Sequence, residues 1–144
     1  MIKNKFYFHL AKQKKVIAYP EDQSFTIEEY LAMEEKAEYR SEYHEGKVVA
    51  LAGGSYNHNR ICANVIAKLS NALSRGSCQV LTSDMKLKLV MDEKYVYPDA
   101  MVICGTIEKA ESNENAVINP IVVVEVLSKS TADYDRGDKF FLYR

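Results

Sequence analysis

The most regular hydrophobic pattern lies between Asn57 and Arg75, where apolar residues recur at spacings of three and four. This spacing predicts an amphipathic helix, with Gly76 as a left-handed cap at its end. A shorter helix is predicted from Ile27 to about Ala37. Thr26, followed three residues later by Glu29, has the capping-box signature that begins such a helix.

Alternating polar and apolar residues predict strands on both sides of the long helix. Residues 38–51 alternate around Glu45-Gly46, which predicts a β-hairpin with its turn there. Residues 80–89 form a second extended stretch, in which Lys86 and Lys88 alternate with apolar neighbours and are expected on the exposed face. Residues 95–104 are predicted to be its partner strand, followed by a polar loop over 105–119.

A run of branched apolar residues from Ile121 to Leu127 predicts a buried central strand. This strand contains Glu125, and an ionised carboxylate in an apolar layer is strongly unfavourable unless a cation or several donors face it. After Ser130 or Thr131 as N-cap, a helix is predicted through Lys139 to the last residue, Arg144.

The length of 144 residues predicts one domain. We expect an irregular N-terminal tail over 1–23 and an α/β domain over 24–144, built on a mixed central β-sheet flanked by helices. The apolar residues of the last helix have no following element to cover them, which predicts a domain that lacks its C-terminal strand or strands.

Composition is that of an ordinary soluble domain, with 47% hydrophobic and 27% charged residues. The 19 basic and 20 acidic residues give a formal net charge of -1, so total charge does not indicate a nucleic-acid binder, although a local basic stripe would be enough for one. Three widely spaced cysteines predict reduced thiols and a cytoplasmic location. No apolar run is long enough to predict a membrane span.

Two acids carry the candidate chemistry. Asp99 follows Pro98 at the head of one apolar segment, and Glu125 lies within the next one. A divalent cation commonly holds two converging carboxylates in the ionised state, so we expect Mg²⁺, or Mn²⁺ in its place, at Asp99, Glu125 and the backbone carbonyl of Val126. Pro-Asp followed at a distance by an acid in an apolar strand is typical of metal sites that hydrolyse phosphodiester bonds, so we expect this activity.

A lysine usually assists these sites from the second position after the acid, but that position is Leu127. Lys129 lies on the same face if the strand continues. Lys139, in the following helix, can reach back to the same place and is the preferred candidate for orienting the attacking water.

Several ordered motifs resemble those of the Uma-two family of the PD-(D/E)XK nuclease superfamily. They are Glu42-Tyr43-His44-Glu45-Gly46-Lys47-Val48, Gly53-Gly54-Ser55-Tyr56-Asn57-His58, residues 82–88, Tyr97-Pro98-Asp99-Ala100-Met101-Val102, residues 123–131 and residues 134–140. The resemblance implies a restriction-endonuclease-like fold, DNA as the partner, a homodimer, and a lysine that has moved to the following helix, as Lys139 would have. It also implies catalytic support from Glu42 and His58.

Other interpretations remain open for these residues. Glu42 is equally well a solvated hairpin residue, and His58 a hydrogen-bonding residue at the start of its helix. Glu125 can belong to a buried structural ion pair. Lys86 and Lys88 are candidates for a phosphate-facing stripe. At the level of function, the alternative to a Mg²⁺-dependent endonuclease is a nuclease fold that binds nucleic acid or a partner protein without cleaving it.

Overall fold

A computed structural model describes residues 23–89 and 93–127 together with Lys139, Leu142 and Tyr143. The helices are α1 (Ile27–Lys36) and α2 (Tyr56–Leu73), and Lys139 and Leu142 are also helical. The strands are β1 (Ser41–His44), β2 (Lys47–Ala50), β3 (Cys78–Thr82), β4 (Lys86–Leu89), β5 (Lys94–Val96), β6 (Ala100–Cys104), β7 (Lys109–Ala110), β8 (Asn113–Val117) and β9 (Val122–Val124).

The described strands form two sheets. The larger has six strands in the order β2-β1-β5-β4-β8-β7, and it is mixed because β4 and β8 run parallel whereas its other pairs are antiparallel. The smaller is antiparallel, in the order β3-β6-β9. The predicted α/β class with a mixed sheet flanked by helices is confirmed, and α2 lies against β3 and β6.

A cluster of tyrosines joins α1 to the six-stranded sheet. The ring of Tyr30, on α1, lies 5.2 Å from that of Tyr43 on β1 and 5.7 Å from that of Tyr95 on β5, measured between centroids. The hydroxyl of Tyr30 donates a 2.7 Å hydrogen bond to the carbonyl of Ser41. This buried hydrogen bond satisfies the polar end of an otherwise apolar side chain.

A second apolar cluster lies between the two sheets. Leu87 and Val96 contribute from the six-stranded sheet, and Met101 and Ile103 contribute from β6. Tyr143 packs against this cluster. The chain passes from one sheet to the other between β5 and β6, at Tyr97 to Asp99, so these residues lie where the two sheets meet.

Two predicted local signals are confirmed. The capping box is complete, since the Thr26 side chain accepts from the Glu29 amide and the Glu29 carboxylate accepts from the Thr26 amide. The hairpin turns at Glu45 and Gly46, which have φ of 50° and 93°. Two consecutive positive φ angles match the twist of antiparallel strands, and glycine accommodates the larger value without strain.

The element predictions were wrong in five places. The predicted extended stretch over 80–89 is divided between β3 and β4, which belong to different sheets. Helix α2 ends at Ser74 in a right-handed conformation, and Gly76 is not a left-handed cap. The predicted strand over 95–104 is interrupted before β6, and the predicted polar loop over 105–119 contains β7 and β8. The predicted buried central strand is β9, which lies at the edge of its sheet with Ile121 just before it 64% exposed.

Lys86 does not lie on an exposed lysine face, because it is only 6% exposed. Its ammonium lies 5.2 Å from the ring centroid of Tyr30 and 5.7 Å from that of Tyr97. Lys88 is half-buried and donates to the Ser112 hydroxyl. Because α1 covers this face of the sheet, an ammonium at Lys86 is held against aromatic rings and is not presented to a phosphate.

The cysteines also differ from prediction. Cys78 and Cys104 face each other across β3 and β6 and form a disulfide, whereas all three thiols were expected to be reduced. Cys62 is free. The tail over 1–22, the predicted N-cap at Ser130 or Thr131, and Lys129 lie outside the described residues.

Among the described residues, no helix has the length and apolar character that crossing a bilayer requires. The division into a tail and a domain, the cytoplasmic location and the homodimer stay predictions.

Replacing Tyr30 with Phe should destabilise the domain by about 1–2 kcal/mol, because the buried carbonyl of Ser41 loses its hydroxyl donor. Tyr56, which is 78% exposed, offers the matched control. Urea unfolding followed by tyrosine fluorescence should place Tyr56→Phe within about 0.5 kcal/mol of the wild type. Equal unfolding midpoints for the two variants would contradict the assigned role of the Tyr30 hydroxyl.

Candidate active site

Glu42 is the most deeply buried acid of the site, at 1% exposure. Strand β1 places it opposite Val49 of β2. Its Oε1 accepts a 3.1 Å hydrogen bond from the backbone amide of Tyr97, and its Oε2 lies 3.3 Å from Nε2 of His44. The interpretation of Glu42 as a solvated hairpin residue is therefore wrong.

Lys139 lies between two carboxylates and is 5% exposed. Its ammonium is 2.9 Å from Oε1 of Glu42 and 3.1 Å from Oε1 of Glu125. The amide of Tyr143 donates to the carbonyl of Lys139, which closes one helical turn. That turn brings the Tyr143 hydroxyl onto Oε1 of Glu125, where it donates a 2.7 Å hydrogen bond.

Asp99 lies at the break between β5 and β6, directly after the buried Pro98. Its Oδ2 accepts a 2.7 Å hydrogen bond from the amide of Val126, the residue after Glu125. Proline has no amide donor, so strand pairing stops at Pro98. The chain turns there, and Asp99 lies against the segment that follows β9.

His58 and Cys62 reach Asp99 from the first turns of α2, where a spacing of four residues places them on one face. Nε2 of His58 lies 3.2 Å from Oδ2 of Asp99, and Sγ of Cys62 lies 3.6 Å from Nδ1 of His58. The Ser55 hydroxyl caps this helix by accepting from the His58 amide. A Cβ at Gly54 would lie 2.6 Å from Nδ1 of His58, so only glycine leaves room for the ring.

Comparison with known proteins places the chain in a family. Residues 27–144 match the family model Uma2, described as "Putative restriction endonuclease". The chain belongs to the Uma2 family. This is the family whose motifs the sequence resembles.

Two relatives of the chain come from Synechocystis sp., and both are named only as uncharacterized proteins. The first, sll1609, is 39% identical over 83% of this chain and 67% of its own length. The second, slr1290, is 40% identical over 81% of this chain and 60% of its own length. The chain thus spans about two thirds of the length of these relatives.

A solved structure has the same fold. It is a crystal structure described as a "putative nuclease belonging to DUF820" from Anabaena variabilis, with a TM-score of 0.66 and 20% sequence identity. The alignment covers 81% of this chain and 66% of that one. At this identity the likeness shows the fold.

Glu42 and Glu125, the two carboxylates that share Lys139, have pKa values shifted in opposite directions in this Uma2 domain. Burial favours the protonated form of Glu42, but the hydrogen bond from His44 and the charge of Lys139 outweigh it and lower the pKa. For Glu125, burial outweighs the help of Lys139 and Tyr143, and the nearby Asp99 adds repulsion, so the pKa is raised. A further cation would therefore stabilise the ionised form of Glu125 more than that of Glu42.

The ammonium of Lys139 is stabilised in its charged form. Burial by itself lowers the pKa, but the attraction of Glu42 and Glu125 is larger in sum, and the pKa is raised. Burial and the neighbouring Asp99 raise the pKa of the Cys62 thiol to about 11, so Cys62 is protonated at neutral pH without a metal.

The structure brings together five predicted site residues: Asp99, Glu125, Lys139, Glu42 and His58. It separates them from Lys86 and Lys88. Three further residues were missed in the sequence, although each lies one helical turn or two strand positions from a predicted one. They are Cys62, four residues after His58, Tyr143, four after Lys139, and His44, two after Glu42.

Replacing Lys139 with Met should destabilise the domain by about 3–5 kcal/mol, because two buried carboxylates lose their shared cation. The exposed Lys68 gives the matched control, and Lys68→Met should change the free energy of unfolding by less than about 0.5 kcal/mol. Urea denaturation measures both.

The double variant Glu42→Gln with Lys139→Met separates charge from packing. It should be more stable than Lys139→Met alone, because one of the uncompensated carboxylates has been removed. A double variant as unstable as the sum of the two single variants would show that the ion contacts are energetically independent.

Stability should also depend on alkaline pH through Lys139. Its folded-state pKa is raised above the ordinary 10.5, so its contribution is complete below pH 10.5 and is lost as pH rises through the folded-state value. The stability difference between wild type and Lys139→Met should therefore be constant near pH 8 and shrink above pH 10.5. A difference that stays constant throughout the alkaline range would refute this linkage.

Proposed function

We propose that this Uma2 domain is a Mg²⁺-dependent endonuclease that hydrolyses phosphodiester bonds in DNA. The observation that carries the proposal is the convergence of Asp99, Glu125 and Lys139, which come from three separate segments of the chain. Membership of a family described as "Putative restriction endonuclease" supports the same chemistry.

The charges of the site fit a divalent cation. Glu42, Asp99 and Glu125 contribute three negative charges and Lys139 one positive charge, so the site carries two negative charges while His44 and His58 are neutral. Burial, with a smaller contribution from the charge of Asp99, raises the pKa of Glu125, and a bound cation would offset both effects. Oxygen ligands of this kind are those that Mg²⁺ prefers.

The hydrogen bonds within the site suggest which atoms would hold the ion. Those from Lys139 and Tyr143 to Glu125 converge on Oε1, and those from His58 and Val126 to Asp99 converge on Oδ2. We assign the cation to the second oxygen of each carboxylate, with the Val126 carbonyl as the further ligand expected from the sequence. When bound there, Mg²⁺ would offset negative charge developing on the scissile phosphate.

Four residues around the metal ligands have a role in this proposal. Lys139 remains protonated, because both of its carboxylate partners favour the ammonium, and it orients the attacking water and stabilises negative charge on the phosphate. Tyr143 fixes the carboxylate of Glu125 through its hydroxyl. Glu42 positions Lys139, and His58 positions Asp99 through their 3.2 Å contact.

One observation favours a second candidate, a domain that binds DNA or a partner protein without cleaving it. The ammonium of Lys139 lies within 3.1 Å of both carboxylates, so its charge is already offset within the protein. In this candidate the three residues form a structural ion cluster. Binding of DNA without cleavage at any metal concentration would favour it.

The deciding experiment measures nicking of supercoiled plasmid in millimolar Mg²⁺ or Mn²⁺. We expect cleavage by the wild type, and its loss to background in Asp99→Asn and Glu125→Gln, because each variant removes a ligand charge. The exposed Glu114, changed to Gln, is the matched control and should leave the rate unchanged.

Metal binding is measured on the same variants by calorimetry, so that loss of affinity and loss of chemistry are read separately. Wild-type activity no greater than that of Glu125→Gln would overturn the proposed function. Equal Mn²⁺ affinity in wild type and Glu125→Gln would overturn the assignment of the ligands.

A further inference from the structure

Cys62 lies in the site cluster, but the proposed nuclease chemistry does not use it. It is the free cysteine of the chain, since Cys78 and Cys104 are joined by a disulfide. Its sulfur nevertheless points into the cluster, because Sγ lies 3.6 Å from Nδ1 and 4.0 Å from Nε2 of His58. A small core residue would require neither contact.

We propose that His58, Cys62 and Asp99 form a second metal site, which binds a thiolate-preferring divalent ion such as Zn²⁺, and that this ion competes with Mg²⁺ for Asp99. The binding part stands on the geometry of three side chains. The competition rests on the proposed function, because it assumes that Mg²⁺ binds Oδ1 of Asp99 beside the Oδ2 that would hold Zn²⁺, and two divalent ions on one carboxylate repel each other.

The three ligand atoms lie close enough together for one ion to contact all of them after a small movement. One ligand atom from each residue lies within 4.8 Å of the others. With Nε2 as the histidine ligand, the separation is 3.2 Å to Oδ2 of Asp99 and 4.0 Å to Sγ of Cys62. Tetrahedral zinc with ordinary bond lengths separates its nitrogen, oxygen and sulfur ligands by about 3.3–3.6 Å. The nitrogen–oxygen distance therefore fits as it stands, and the sulfur of Cys62 has to move closer to the other two atoms when the ion binds.

The surrounding chain holds two of these ligands in place. The backbone at Gly54 lies against the imidazole of His58, and a Cβ there would be only 2.6 Å from Nδ1. The amide of Val126 fixes Oδ2 of Asp99 through a 2.7 Å hydrogen bond. Groups that orient ligands in this manner accompany most protein metal sites.

The chemical types of the ligand atoms indicate which metal ion the site would bind. Sulfur and imidazole ligands favour Zn²⁺ and Co²⁺, whereas Mg²⁺ favours oxygen ligands, and three protein ligands leave a fourth position for water. The same three residues also resemble a cysteine nucleophile with its base and orienting acid. That interpretation is disfavoured, because burial and the carboxylate of Asp99 raise the pKa of the Cys62 thiol and so oppose formation of the free thiolate.

Cobalt provides a test that does not depend on nuclease activity. Titration of metal-free protein with Co²⁺ should produce a near-ultraviolet thiolate-to-cobalt charge-transfer band that saturates at one equivalent and disappears when Zn²⁺ is added. Cys62→Ser should lack the band. Ala63→Ser, at the neighbouring exposed position, should keep it.

A wild type without the band, or a Cys62→Ser variant that retains it, would overturn the site. A circular-dichroism spectrum identical to that of the wild type shows that Cys62→Ser is folded. His58→Asn should also lose the band, and its retention there would count against the three-residue assignment.

The competition is tested with Mn²⁺ as the probe ion. One equivalent of Zn²⁺ should release bound Mn²⁺ from the wild type, seen as the growth of the free-ion paramagnetic resonance signal, and should release none from Cys62→Ser. Equal release from both proteins would overturn the competition while leaving the cobalt result intact.

Nuclease activity provides a separate test of the competition. Zn²⁺ should inhibit plasmid cleavage in Mg²⁺ by the wild type and spare Cys62→Ser, and equal inhibition of the two would overturn the competition. A wild type that does not cleave at all would refute the proposed function alone, since the cobalt band and the Mn²⁺ release still decide this inference.

Discussion

The ammonium of Lys139 between Glu42 and Glu125 is the contact on which the rest of the site depends. Removing three charges from water costs several kcal/mol for each ion, and their attraction offsets this only when the remaining donors are also in place. Here they come from separate parts of the chain: the Tyr97 amide satisfies Glu42 and the Tyr143 hydroxyl satisfies Glu125. One lysine therefore joins both sheets to the last described helical turn.

Local chemistry explains why part of the fold could be predicted from the sequence. The capping box at Thr26 and the turn at Glu45-Gly46 are decided by neighbouring residues, so a short pattern is sufficient. Strands β7 and β8 were missed because their pairing with each other and with β4, and not their composition, makes these polar residues extended. The burial of Lys86 was missed for the same reason, since it depends on where α1 packs.

The candidate site was predictable where chemistry was unusual for its context. Two acids could be recognised in this way: Glu125, which lies inside an apolar run, and the acid that follows Pro98. The contacts of Cys62 could not be found in this way, because a cysteine on an amphipathic helix is most often a core residue. The Cys78 to Cys104 disulfide depends on the register of β3 with β6 across 26 residues, which composition does not determine.

The hydrogen bond from the Val126 amide to Asp99 ties the state of the site to the backbone. An amide held by a side chain becomes available to solvent only when that side chain swings away. The rate at which the amide proton of Val126 exchanges with deuterium therefore reports how often Asp99 leaves the cluster. A single backbone position, outside any strand, thus records the opening of the whole acidic centre.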